Sequence, residues 1–496
     1  MKSILGPKLL ITCLSSALII VPSFVWAEEE TATDEAKPLD TETLLEAIDV
    51  GPYEVPDLPL KKNTNYGASA VDVEPFGHVE PYFEHFLEQM EYTGPGRAKP
   101  EPEDIDTVKI GFLGPIVPTV SVATGGQSHE EPLGIAMLRG TRMAIEEANA
   151  AGGYLPRDIP FELVVHNDNG LWGASGNEII DLAYKKNVWA ILGTIDGANS
   201  HIAIRVALKA EIPMVNTGDT DPTFIETNIP WVIRTIGDDR QQNYMLLDYL
   251  YRKQGYERVA IIRASNRYGR FGVREIKDGS RRLGRPVVIE MAYPVGGDDF
   301  SLQIDRIAEA EPQAIIHWGD AVDGARILTQ MRDRGMDQPF FCSDRCASEE
   351  FVRLAGELAQ EVYSTYPWNP HREDPKLERF RREFEKRYGV EPDTYAAHAY
   401  DGANLLIWAI QKAGLNRAKI RDLLAYRSEP WPGVTGDIPL NAALDDGGEV
   451  FMTRWDGEGW SYYSREDLGV PSGFIAPATR QEREPLSTSS VGGGSQ

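Results

Sequence analysis

Two short polar runs hold the residues best suited to grip a solute. Thr194-Ile-Asp-Gly-Ala-Asn-Ser200 supplies a carboxylate at Asp196, a bare backbone at Gly197, an amide at Asn199 and a hydroxyl at Ser200. Asn216-Thr-Gly-Asp-Thr-Asp221 supplies the carboxylates of Asp219 and Asp221 and the hydroxyl of Thr220. Such groups accept and donate hydrogen bonds and carry charge. Neither run pairs a nucleophile with a base, gathers metal ligands or forms a phosphate loop. The chain also lacks GxSxG, HExxH and Walker-type patterns, and Tyr268-Gly-Arg-Phe-Gly272 is too short a glycine pattern for a dinucleotide. The chemistry implied is binding without catalysis.

The elements that position these runs follow from periodicity. Ala190 to Leu192 and Ile212 to Val215 are apolar strands, a helix lies between them, and each is followed by one of the polar runs. Both loops then fall at the carboxyl edge of a parallel sheet, where open α/β sheets take ligands. Strands at Val108 to Leu113, Phe161 to Asp168 and Ile229 to Thr235 extend this unit, with helices at Gly134 to Ala151 and Ala174 to Lys186. Beyond about Ile236 the alternation repeats, with strands at Arg258 to Arg263, Val287 to Tyr293, Ala314 to Trp318 and Phe340 to Cys342. Its helices lie at Asp238 to Gln254, Phe271 to Leu283, Phe300 to Glu309 and Ala321 to Arg334. Two runs of alternation predict an α/β protein of two doubly wound, Rossmann-like lobes with a ligand cleft between them. Helices at Pro375 to Tyr388, Thr394 to Ala413 and Arg417 to Leu424, then strands at Gly436 to Leu440, Glu449 to Trp455 and Trp460 to Tyr463, complete the pattern.

The ends read differently. Lys2 and Lys8, an apolar run from Leu9 to Val21 and Val25-Trp26-Ala27 make a secretory signal cut after residue 27. From Glu28 to Leu60 eleven acidic residues face one lysine, so this part of the 28–106 extension predicts a disordered leader. Val79 to Tyr92 predicts a short amphipathic helix, and residues 464–496 a polar tail. A net charge of -26 argues against nucleic acid and anionic lipid as partners. Cys342 and Cys346, four apart in an exported chain, are a possible disulfide or a pair of free thiols; a zinc site there would need two further ligands. His129, Glu130 and Glu131 read as solvated loop residues, and His166 and His317, which end strands, as packed or hydrogen-bonded. No cofactor is implied.

The ordered motifs VKIGFLGP, GTRMAIEEANAAGG, FELVVHNDN, ILGTIDGANS with IPMVNTGDTDP, RVAIIRASNRYGRFG and TYAAHAYDGANLLIWAI resemble the leucine/isoleucine/valine-binding family of type I periplasmic solute-binding proteins. The likeness runs from about Thr107 to Tyr463. It implies a bilobal receptor joined by three crossovers, with lobe 1 at 107–236 plus 368–433 and lobe 2 at 237–367 plus 434–463. Such a receptor closes on a small solute and presents it to an ABC-type permease of the inner membrane. The alternative is an exported ligand-sensing or docking partner of a membrane sensor or periplasmic enzyme.

The resemblance also assigns residues. It places Asn199, Ser200 and Thr220 as donors to a ligand carboxylate, Tyr268 as the aromatic that covers the ligand, and Asp344 as the acid that holds its ammonium. Asp320 follows a lobe 2 strand, Tyr395 is a further aromatic near the cleft, and Trp172 can replace the family's tryptophan. Asp196 and Asp219 depart from the branched-chain receptors, which have no acid there. An acid beside a ligand carboxylate repels it. The acids therefore point to a ligand with an amine, amide or other cationic group. Helix capping is the competing reading for Asp196, Asp219 and Asp221, hinge packing for Tyr268 and a turn role for Asp344.

Overall fold

Val108–Gly114 (β1) buries Val108, Ile110, Phe112 and Leu113 completely, and a strand covered on both faces requires helices on both sides of its sheet. The computed structural model, which describes residues 89–116, 131–168, 172–360 and 362–469, all in one compact unit, has that arrangement. The signal sequence, the acidic leader, His129, Glu130 and the tail from 470 lie outside the described residues. So does most of the expected Val79 to Tyr92 helix; its described end, Gln89 to Tyr92, is irregular chain.

The first sheet adds Phe161–Asn167 (β2), Ala190–Gly193 (β3), Met214–Asn216 (β4) and Val232–Arg234 (β5) in the order β2-β1-β3-β4-β5, parallel throughout. The second contains Val259–Ala264 (β6), Ile289–Tyr293 (β7), Ala314–Trp318 (β8), Phe340–Cys342 (β9) and Tyr363–Tyr366 (β10). Trp431–Pro432 (β11) and Asp437–Ile438 (β12) form a separate ribbon, so the expected Gly436 to Leu440 strand is shorter and joins neither main sheet. Phe451–Trp455 (β13) and Trp460–Tyr463 (β14) complete the second sheet, ordered β14-β13-β10-β9-β8-β6-β7, with β13 antiparallel to both neighbours.

The chain passes between the sheets three times: after β5, after β10 and before β13. Between the last two passages, helices Pro375–Tyr388, Thr394–Ala413 and Arg417–Ala425 share one apolar core with β1. Asp393 caps the long helix by accepting from the Ala396 amide at 2.8 Å. This helix approaches Pro132–Ala150 so closely that a Cβ on Gly140 would lie 2.0 Å from the Ala396 carbonyl oxygen.

Arg234, at the end of β5 and fully buried, ties two of these passages to a cleft loop. Its Nε and Nη2 donate to the two carboxylate oxygens of Asp445, each at 2.6 Å, and Nη2 also donates to Asp238 Oδ2 at 3.0 Å. Nη1 donates to the carbonyls of Asp221 at 2.8 Å and Asp219 at 3.2 Å. All five guanidinium N–H groups are thereby used. Arg234→Met should lower stability by about 3–5 kcal/mol, because Asp238 and Asp445 would keep their burial and lose their cation. Urea unfolding followed by circular dichroism measures this, and a loss under about 1 kcal/mol would place the pair among dispensable ones.

Candidate functional site

The carboxyl ends of β3 and β4 face those of β6 and β9, as two contacts between the sheets' loops show. Arg267, after β6, donates from Nε to Asp221 Oδ2 at 2.7 Å and from Nη2 to Thr223 Oγ1 at 2.7 Å. Arg345, after β9, lies 3.4 Å from Asp196 Oδ1.

On the first-sheet side, helix Gly197–Ala210 starts directly after Asp196, so Asn199 and Ser200 occupy its first turn, both fully buried. Ser200 Oγ is 2.5 Å from Thr194 Oγ1, and Asn199 Nδ2 donates to Asp168 Oδ2 at 3.0 Å. The Asn199 Oδ1 atom is buried with no partner among the described residues. In the loop after β4, Asn216 Oδ1 accepts from the amides of Gly218 and Asp219, and Asp219 Oδ1 accepts from the Asp221 amide at 2.9 Å. Asp221 caps the next short helix through the Thr223 amide, while the side chain of Asp196 makes no cap. The Thr220 carbonyl accepts from the Asp239 amide at 2.8 Å, joining this loop to the first passage between sheets.

On the second-sheet side, Asp344 is held between two phenols. Its Oδ1 accepts from Tyr268 at 2.6 Å and its Oδ2 from Tyr395 at 2.8 Å, although Tyr395 belongs to the long helix packed on the first sheet. Burial raises the Asp344 carboxyl, and the two hydroxyls and Arg345 pull it back. The Arg345 guanidinium carbon lies 3.7 Å from the Tyr268 ring centroid, and its Nη1 reaches Asp320 Oδ1 at 2.9 Å. Trp172 begins helix Trp172–Ile180, and its ring lies outside the described residues.

The structure thus gathers Asp196, Asp320, Tyr268, Asp344 and Tyr395 around Arg345, and sets Asn199, Ser200, Asp219 and Thr220 on the opposing loops. Gly197 belongs to the lobe contact: a Cβ there would lie 2.3 Å from Asp221 Oδ2 and 2.8 Å from Arg267 Nε. Sequence reasoning missed Arg345 and Arg267; the available signal was a basic residue just beyond the carboxyl end of a second-lobe strand. It also read Glu131 as solvated, whereas burial, with Asp196 and Asp320 nearby, raises that carboxyl to about 7 against the opposing effect of Arg345. Cys342 and Cys346 are buried free thiols rather than a disulfide.

Two facing sheets, one parallel and one mixed, with polar loops across a cleft define a bilobal binding protein. The family model described as periplasmic binding protein matches residues 107–456, and the chain belongs to that family. The Leu/Ile/Val-binding protein homolog 2 of Brucella abortus (strain 2308) is 26% identical over 323 residues, 65% of this chain and 85% of that protein. A leucine-, isoleucine-, valine-, threonine-, and alanine-binding protein of Pseudomonas aeruginosa is 22% identical over 344 residues, 68% and 87% of the two chains. Among solved structures, a leucine-binding protein from Thermotoga maritima superposes with a TM-score of 0.65 at 23% identity, covering 72% of this chain and 98% of that one. A solute-binding protein from R. palustris in complex with benzoate gives 0.64 at 16% identity, covering 75% and 98%. The fold is that of type I periplasmic binding proteins.

Two tests follow from this geometry. Gly197→Ala should displace the Asp221 and Arg267 side chains and weaken the closed arrangement while both sheets stay folded, giving a larger radius of gyration in small-angle scattering; an unchanged radius would show that the Asp221–Arg267 contact does not govern closure. Burial, reinforced by the Asp221 charge and opposed by Ser200, the Asp221 amide and Arg234, raises the Asp219 carboxyl to about 8. Its ordinary value is about 3.9. The stability it contributes is therefore complete below about pH 4 and is lost as pH rises through about 8. Asp219→Asn, which stays neutral, should gain in unfolding midpoint relative to the wild type across that window; parallel pH profiles would contradict the assignment.

Proposed function

We propose that this protein is an exported receptor that captures a small amine-, amide- or amino-acid-like solute in the cleft and delivers it to an ABC-type permease. The observation that carries the reading is Asp344, held between the Tyr268 and Tyr395 hydroxyls. Its oxygens take the two phenols and the Arg345 amide, and a carboxylate with about four acceptor positions has room for one further ammonium or amide N–H. Across the cleft, Asn199 and Ser200 sit in the first turn of a helix whose amino end favours a carboxylate. Asp219, neutral at pH 7 with its carboxyl raised to about 8, offers an O–H where an ionised acid would repel. Relatives named for branched-chain amino acids support a solute of this size, and the benzoate complex is of a protein with the same fold.

The role is retention and release. The two lobes meet through Arg267–Asp221 and Arg345–Asp196, and a solute that bridges them adds to these contacts only when the cleft is closed. None of the residues in this arrangement needs to make or break a covalent bond.

Calorimetry with amino acids, amides, ureas and polyamines tests the proposal. An amine- or amide-bearing solute should bind, and Asp344→Asn should weaken it by roughly ten- to a hundredfold, the loss of one hydrogen bond to a charged group. Binding confined to simple dicarboxylates would overturn the reading.

A further inference from the structure

Behind the cleft, the loop that carries Asp344 and Arg345 is closed by Cys342 and Cys346, and both thiols face His317. The three ligand atoms lie within 4.8 Å of one another and all three residues are fully buried. Register sets the first contact, since β8 and β9 are parallel with His317 opposite Cys342. The turn Asp344–Cys346, closed by the Cys346 amide on the Ser343 carbonyl at 3.0 Å, brings the second sulfur back.

The imidazole is rigidly placed. It stacks between Tyr293 and Phe340, with centroids 5.8 and 5.9 Å away and ring planes within 16°. Its Nε2 lies 2.7 Å from the Tyr293 hydroxyl, a partner that can leave the Nδ1 lone pair directed at Cys346 Sγ, 3.5 Å away. Two glycines make the space: a Cβ at Gly324 would lie 2.9 to 3.1 Å from the ring and Cys346 Sγ, and one at Gly319 would lie 2.1 Å from the Tyr293 hydroxyl.

We infer that His317, Cys342 and Cys346 form a binding site for a zinc-class divalent cation; the Gly319 carbonyl, 3.9 Å from Cys346 Sγ and already accepting from Ser343 Oγ at 2.8 Å, is a further polar group beside it. With metal–sulfur bonds of about 2.3 Å and a metal–nitrogen bond of about 2.0 Å, tetrahedral geometry puts ligand atoms roughly 3.5–3.8 Å apart, the spacing the Cys346–His317 pair already has. The cation replaces the two S–H protons, which pass to the buffer, and no electron moves. Charge selects the valence: a divalent ion with two thiolates and a neutral imidazole is uncharged in an apolar interior, whereas a monovalent ion would leave a buried negative charge. Tyr293 then acts as the outer partner that fixes the histidine. The bound ion ties the ends of β8 and β9 beneath the loop facing the cleft. The site stands apart from the proposed solute, and either idea can fail without the other.

The test uses the full mature chain, unfolded and refolded under a phosphine reductant with Zn2+ or Co2+ and then dialysed. One metal per chain is expected, with thiolate-to-cobalt charge-transfer absorption and a raised thermal midpoint against metal-free protein. Cys342→Ser and Cys346→Ser should each abolish the charge-transfer band, and His317→Gln should weaken retention at least tenfold. Wild-type protein that refolds to the same circular dichroism without retaining metal overturns the proposal even if the variants fail to fold. So does a cobalt spectrum unchanged in the serine variants, or a Cys342–Cys346 disulfide that persists under the reductant and holds no metal.

Discussion

The buried guanidinium of Arg234 is the constraint on which the arrangement of the cleft depends. Removing such a charge from water costs several kcal/mol and is tolerable only when every donor is satisfied and the counter-charge is close. The bidentate pair with Asp445 and the bond to Asp238 meet that condition, and they fix where the first and third passages between the sheets can run. Asp238 at the same time caps helix Asp239–Leu247, so the direction in which the chain enters the second lobe is set by the same group. The two remaining bonds go to the carbonyls of Asp219 and Asp221. The loop is therefore anchored to the hinge through its backbone, and its side chains remain available for other work.

Against this rigid hinge, the contacts between the lobe faces are modest. Arg267 and Asp221 are 25% and 5% exposed in their side chains, and Arg345 and Asp196 are 8% and 37% exposed. Pairs partly open to water contribute about 1 kcal/mol or less. The buried Tyr395–Asp344 hydrogen bond also joins the two lobes, and a ligand can shift such an equilibrium only by its differential affinity for the two states.

The fold was largely legible because its periodicities are strong. β8, β9 and the helices Pro375–Tyr388 and Thr394–Ala413 have the bounds their apolar patterns predict. β10 was not legible, although it lies inside the second sheet. Its sequence, Tyr-Ser-Thr-Tyr, looks like a turn, and only tertiary partners make it a strand: Ser364 Oγ donates to the Ser343 carbonyl at 2.8 Å and Thr365 Oγ1 to Gln242 at 2.9 Å. Hydroxyls that find buried acceptors cost little inside a sheet, and that pairing is invisible along the chain. The same limit applies to the ribbon at Asp437, whose apolar alternation was read as a longer strand.

At the cleft, the acids were legible and their compensation was not. Asp196 and Asp320 lie 149 and 25 residues from Arg345, so no local window contains the group that pairs with both. Counting carboxylates alone describes an anionic cup, but Asp344 is bound by two phenols, Asp219 has its carboxyl raised to about 8, and Arg345 supplies a cation among the rest. The face of Tyr268 that the family resemblance gives to a ligand is covered by that guanidinium at 3.7 Å. A solute reaching the ring must displace Arg345 or meet it. A polyamine would meet its repulsion, and a simple carboxylate would gain nothing from Asp344. On the proposed reading, a solute bearing both an amine and a carboxylate would meet Asp344 at one end and the amino end of helix Gly197–Ala210 at the other.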